Sequence, residues 1–149
     1  MRYNPDHCKR LKQIVEPLLL WYRKDHRQLP WRDNPSPYRV WVSEIMLQQT
    51  RVEAVKPYFE RFLRELPTIQ DLAECPEEKL LKLWEGLGYY SRVRNMQKCA
   101  QQVVSLYQGH FPADEALLKK LPGIGDYTAG AVASIAFDLP VPAVDGNVL

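Results

Sequence analysis

Glu44 is the lone acid in "SEIMLQQT" (43–50), among apolar and neutral amide side chains. On a helix it shares a face with Val40, Trp41, Leu47 and Gln48. Loss of water in such company raises a carboxyl pKa, which suits a general acid near neutral pH. The ordinary alternative is a surface glutamate or an intrahelical ion pair. A second acid, Asp145, lies in "VDGNV" (144–148), where Asp-Gly taken alone reads as a turn. A third stretch, "LPGIGDYTAGA" (121–131), puts Gly123 and Gly125 around Ile124. Two such glycines allow a tight hairpin with uncovered backbone N–H groups, and the N-terminus of the next helix stands behind it. That corner can hold a phosphate without a charged side chain, with Ile124 pinning the turn to the core. A bare Gly-X-Gly is more often a plain helix corner. Here the Leu-Pro lead-in, both glycines and the small residues Ala129 and Gly130, which allow close helix approach, occur together and favour DNA binding.

The elements that must carry these residues are helical. Val93, Met96, Ala100, Val103 and Tyr107 recur at helical spacing, as do Leu11, Ile14, Leu18 and Trp21, although Pro17 should cost or kink that helix. Leu80, Leu81, Leu83 and Trp84 mark a shorter helix opened by Pro76. "TIQD" (68–71) has the form of a capping box with Asp for Glu. About eight helices are predicted, near 6–26, 38–49, 51–65, 68–74, 76–85, 90–108, 114–121 and 126–137. No run alternates as a strand does, so the reading is a compact all-α fold. The polar stretch "HRQLPWRDNPSP" (26–37), with three prolines, is the best crossing between sub-domains.

The 149 residues are 46% hydrophobic and 26% charged, which supports a real core and argues against disorder. Twenty basic against eighteen acidic residues leave +2, so any basic footprint is local. Cys8, Cys75 and Cys99 are scattered, without a CxxC. They read as reduced thiols of a cytosolic protein and encode no metal site. "LLLW" (18–21) is too short to span a bilayer, and the N-terminus lacks a secretory core. A soluble, cytoplasmic protein follows, nucleoid-associated in a bacterium. The chain ends on "VPAVDGNVL", where Val148 and Leu149 read as the start of another helix, so a longer protein is expected.

"LPGIGDYTAGA" resembles the helix-hairpin-helix of the endonuclease III-type DNA glycosylases, and "VDGNV" resembles their catalytic-aspartate region. "LPWR" (29–32), "SEIMLQQTRV" (43–52) and "WEGLGYYSRVRN" (84–95) are closer still to the MutY-type adenine glycosylases. The likeness is nearly continuous from about residue 20. It implies a six-helix barrel over 29–137, with 1–28 belonging to a second helical sub-domain and 138–149 beginning the return to it, incomplete here. It also implies excision of adenine opposite 8-oxoguanine or guanine in duplex DNA by a monomer, in base excision repair.

In that scheme Glu44 protonates adenine N7 and then activates water. Asp145 stabilises the cationic sugar, and Asn147 orients Asp145 or the water. Bifunctional relatives carry a strand-cleaving lysine where this chain has Tyr127, so base removal without lyase chemistry is implied. Trp31, Arg32 and Leu47 correspond to the pocket of the flipped adenine. Gln49 corresponds to a wedge and Tyr89 to an intercalating aromatic. Gly123, Ile124, Gly125 and Thr128 supply the hairpin contact. Arg92, Arg94 and Lys98 form a local basic cluster that suits a DNA backbone, or equally a solvated helix face. Full-length relatives carry a [4Fe–4S] cluster, whose cysteines are absent from residues 1–149, and a C-terminal domain reading 8-oxoguanine. A thymine-mismatch or endonuclease III-like glycosylase and a truncated DNA-binding fragment without turnover are the rivals.

Overall fold

The computed structural model describes residues 5–147. They form α1 (Pro5–Asp25), a one-turn 3-10 helix (Pro30–Arg32), α2 (Pro37–Leu47), α3 (Val52–Glu65), α4 (Ile69–Glu74), α5 (Glu77–Trp84), α6 (Ser91–Tyr107), α7 (Glu115–Leu118) and α8 (Asp126–Phe137). No strand occurs among the described residues, so the fold is all-α as expected. Val148 and Leu149, read as the start of another helix, lie outside the described residues.

Local chemistry accounts for most boundaries. Ser36 caps α2 by accepting from the Arg39 N–H at 3.3 Å, with Pro37 at the first helical position. Thr68 and Asp71 form the predicted capping box on α4: Thr68 Oγ1 accepts from the Asp71 N–H, and the Asp71 carboxylate accepts from the Thr68 N–H. α5 starts after Pro76. Pro17 does not break α1.

Three boundaries differ from the pattern reading. α2 stops at Leu47 and not at 49, because Gln48 leaves the helical range at ψ 118° and Gln49 then takes a left-handed backbone with φ 57°. The helix predicted over 114–121 shrinks to Glu115–Leu118, where the chain turns toward the hairpin. Trp31 sits in an unforeseen 3-10 turn, with its ring buried and edge-on to Phe59 at 5.5 Å.

α2 is the central element, packed on α3, α8 and the 3-10 turn, while α4 lies along α6. Trp41 on α2 is fully buried, edge-on to Phe111 at 5.2 Å. Val93, Met96, Ala100 and Val103 bury the predicted α6 stripe. Tyr107 completes that stripe half-buried. The stripe on α1 faces outward: no residue of that helix is buried, and Leu11, Ile14, Leu18 and Trp21 are each more than half exposed. The core therefore begins at Leu29. No helix among the described residues is long and apolar enough to cross a membrane.

Candidate active site

A cleft of about 750 Å³ opens beside α2, between α8, the 3-10 turn and the extended chain that follows α8. Glu44, Tyr127, Asp145 and Asn147 all line it, as do Trp31, Arg32, Leu47 and Gln49. Residues from Trp31 to Asn147, far apart in sequence, thus share one space.

Glu44 sits half-buried on α2. Burial raises its pKa above the ordinary carboxylate range, the neighbouring Asp145 charge adds to the rise, and a hydrogen bond from the Tyr127 side chain partly opposes it. Tyr127, in the first turn of α8, is itself pushed up to about 12 by burial and by the Glu44 carboxylate. Its hydroxyl is therefore a neutral donor near pH 7. Asp145 Oδ1 accepts from the Asn147 N–H at 2.8 Å, an Asx turn. The turn and the functional assignment of Asp145 are compatible, since the turn is part of the cleft wall. Asn147 makes this contact through its backbone amide and not its side chain.

α2 and α8 pack against each other, and both carry small buried side chains, Ser43 on one and Ala129 and Ala133 on the other. Gly130 was read as a place for close helix approach, but what lies against it is the extended chain. A Cβ at Gly130 would stand 2.2 Å from the Pro142 carbonyl oxygen. The bare glycine lets Pro142 and Ala143 lie against α8, two residues before Asp145 reaches the cleft.

The hairpin departs partly from its reading. Gly123 is left-handed at φ 73°, and the Ile124 N–H closes the turn on the Leu121 carbonyl at 3.2 Å. Ile124 is buried, as the pinning role requires. Gly125 is extended, and a side chain there would meet nothing within 4 Å, so the fold itself does not demand that glycine. No side chain caps α8, so its first-turn amides stay open at the corner. Thr128 as a whole is only 2% exposed, so its hydroxyl is not presented at the surface of the corner.

Tyr89 and Arg92 lie outside the cleft. Tyr89 is 65% exposed, in a turn with φ 48°. Arg92 corrects its sequence reading: the guanidinium turns inward, onto the carbonyls of Ile45, Met46, Gln48, Leu87 and Gly88. Arg94 pairs with Glu77 at 3.0 Å. The basic cluster is therefore not three free cations. The sequence reading missed Tyr22 of α1, which lines the same cleft under the Arg32 guanidinium at 5.5 Å. Arg32 also donates to the Arg27 carbonyl at 2.9 Å. Tyr22 follows Trp21, the last residue of the α1 stripe, and nothing in the spacing says what it meets.

The described residues do not fit an iron–sulfur cluster. Cys75 and Cys99 are buried in the helical core, Cys8 lies on α1, and no three metal-ligating side chains converge among them.

Residues 42–149 match the family described as the HhH-GPD superfamily of base excision DNA repair proteins. The chain is 50% identical over 141 residues to an adenine DNA glycosylase of Rattus norvegicus, covering 89% of this chain and 27% of that protein. It is 45% identical over 136 residues to an adenine DNA glycosylase of Buchnera aphidicola subsp. Baizongia pistaciae (strain Bp), covering 91% and 39%. It therefore spans well under half the length of these curated relatives. Among solved structures, a thermostable thymine-DNA glycosylase superposes with TM-score 0.87 at 29% identity, covering 95% of this chain and 65% of that one. A non-covalent endonuclease III–DNA complex superposes at 0.78 and 27% identity, covering 94% and 64%.

Proposed function

The chain belongs to the HhH-GPD superfamily of base excision DNA repair proteins, and from that premise we propose that it carries the chemistry of a monofunctional adenine DNA glycosylase. It acts as a monomer, in the cytoplasm or at the nucleoid, on duplex DNA with adenine opposite 8-oxoguanine or guanine. The observation that carries this reading is the meeting of Glu44, Tyr127 and Asp145 in one cleft. The 45–50% identity to adenine glycosylases supports the choice of base.

The flipped adenine enters between Trp31, Arg32 and Leu47. Glu44, whose proton affinity burial raises, gives its proton to adenine N7. The C1′–N9 bond then breaks and its electron pair leaves with the base. Positive charge grows on the sugar, and the Asp145 carboxylate stabilises it, as one of two carboxyl groups does in glycoside hydrolysis. Glu44, now ionised, accepts a proton from the water that attacks C1′. Tyr127 steadies Glu44 through its hydrogen bond and offers no amine for a Schiff base, so the strand stays intact. The hairpin amides and the α8 N-terminus hold the backbone phosphate.

The likeness to a thymine-DNA glycosylase structure at 29% identity is the specific ground for a second reading, excision of mispaired thymine. Single-turnover assays with A:8-oxoguanine, A:G, T:G and thymine-glycol duplexes decide between them. The proposal predicts adenine release, with strand breakage only after hot alkali. Thymine release without adenine release overturns it.

A further inference from the structure

Two exposed residues, Gln49 at the cleft and Tyr89 outside it, share an unusual backbone: both are left-handed without being glycine, at φ 57° and 48°. Such a conformation is disfavoured for ordinary side chains and persists where its surroundings over-determine it. Each follows directly on a carbonyl that accepts from one and the same side chain, Arg92, near the start of α6. Arg92 Nη1 donates to the carbonyls of Ile45 at 2.9 Å, Met46 at 3.3 Å and Gln48. These lie in the open last turn of α2 and the residue after it, where a cation meets both unsatisfied acceptors and the negative end of the helix dipole. Arg92 Nη2 donates to the carbonyls of Leu87 at 3.2 Å and Gly88 at 3.4 Å, in the turn that leads into Tyr89. The guanidinium also lies over the Trp84 and Tyr89 rings, 5.2 and 5.7 Å from their centroids. Trp84 Nε1 donates to the Gly88 carbonyl from the other side at 3.0 Å.

We propose that Arg92 is a positioning residue that locks the Gln49 turn and the Tyr89 turn into one rigid pair. It reaches no substrate itself. It sets the spacing between two side chains that stand ready to enter a duplex together, one from each turn. Only a planar fork of donors serves both turns at once; a lysine ammonium is a single point charge and satisfies one turn or the other. That the pair enters DNA rests on the proposed function, whereas the locking itself does not.

The test compares wild type, Arg92→Lys and Arg92→Ala. Backbone order is read by nitrogen relaxation at Gln49, Thr50, Tyr89 and Tyr90 in the free chain. Binding to an A:8-oxoguanine duplex and to the fully paired duplex is read in parallel. In Arg92→Lys, which keeps the charge and the helix, one turn or the other loses order; in Arg92→Ala, which removes every donor, both turns lose order together while α4 and α8 do not. Preference for the mispair falls about tenfold, and adding Gln49→Ala or Tyr89→Ala costs far less than in wild type. Unchanged order in Arg92→Ala, or loss in one turn alone in that variant, overturns the proposal. An equal loss of affinity for both duplexes with order intact also overturns it and makes Arg92 a plain phosphate contact. A wild-type chain that binds the two duplexes alike defeats the proposed function instead, and the order measurement still decides the locking.

Discussion

The α4–α6 pair and the α2–α8 pair are both close helix packings, and they are built on opposite terms. Around α4 and α6 the local rules are kept. A capping box starts α4, an apolar stripe on α6 fills the interface, and the Gln97 amide closes the end of α4 by donating to the carbonyls of Leu72 and Cys75. Around α2 and α8 the rules are broken at several points. An acid is half-buried, an arginine fork is needed to hold the turn after α2, and a backbone carbonyl presses where a Cβ would be. Departures of this kind gather where a protein does work and not where it only holds together. The first pair is a frame, and the second lines the candidate site.

Substitutions in the two regions should therefore fail differently. Glu44→Gln is predicted to lower single-turnover adenine release by about a hundredfold to ten-thousandfold, the usual range for losing a general acid, while leaving duplex binding unchanged. The same variant should melt above wild type at mildly alkaline pH. The sign follows from the raised Glu44 pKa, because between its unfolded and folded values the native state holds a proton that the unfolded chain does not. Stability from this group is complete below the unfolded pKa and is lost as pH rises through the folded one. Leu72→Ala, a fully buried position on α4, should cost about 2–5 kcal/mol in denaturant unfolding yet leave the rate per folded molecule alone. A slowed rate in the folded fraction would show that frame and site are not separable. Gly130→Ala should slow adenine release on the order of 100-fold, because its Cβ displaces the chain that carries Asp145. Thr68→Ala should cost only about 0.5–2 kcal/mol, seen in Tm and nowhere in catalysis.

The same contrast explains what could be read from the residues alone. The frame is written in local signals: the 3.6-residue period of α6, Thr68 with Asp71, and Pro76 before α5. The site was readable where one residue's chemistry speaks for itself, as with Glu44 on an apolar helix face or Gly123 in a tight turn. It was not readable where the meaning lies in a distant partner. Nothing near Arg92 says that its fork will reach back to Ile45 and Gln48. Nothing near Gly130 says that Pro142 will lie on it. The outward stripe on α1 follows the same logic: periodicity gives a helix and a face, but not what the face meets.

The most direct test of the central claim, that Glu44 gives its proton from a carboxyl poised by burial and Tyr127, is the pH profile of single-turnover adenine release in wild type and Tyr127→Phe. The rate should hold level at low pH and fall about tenfold per unit as pH passes the Glu44 pKa. The Tyr127 hydrogen bond lowers that pKa, so its removal should carry the falling limb to higher pH. A limb that stays in place or moves to lower pH in Tyr127→Phe would contradict the assignment of Glu44 as the acid.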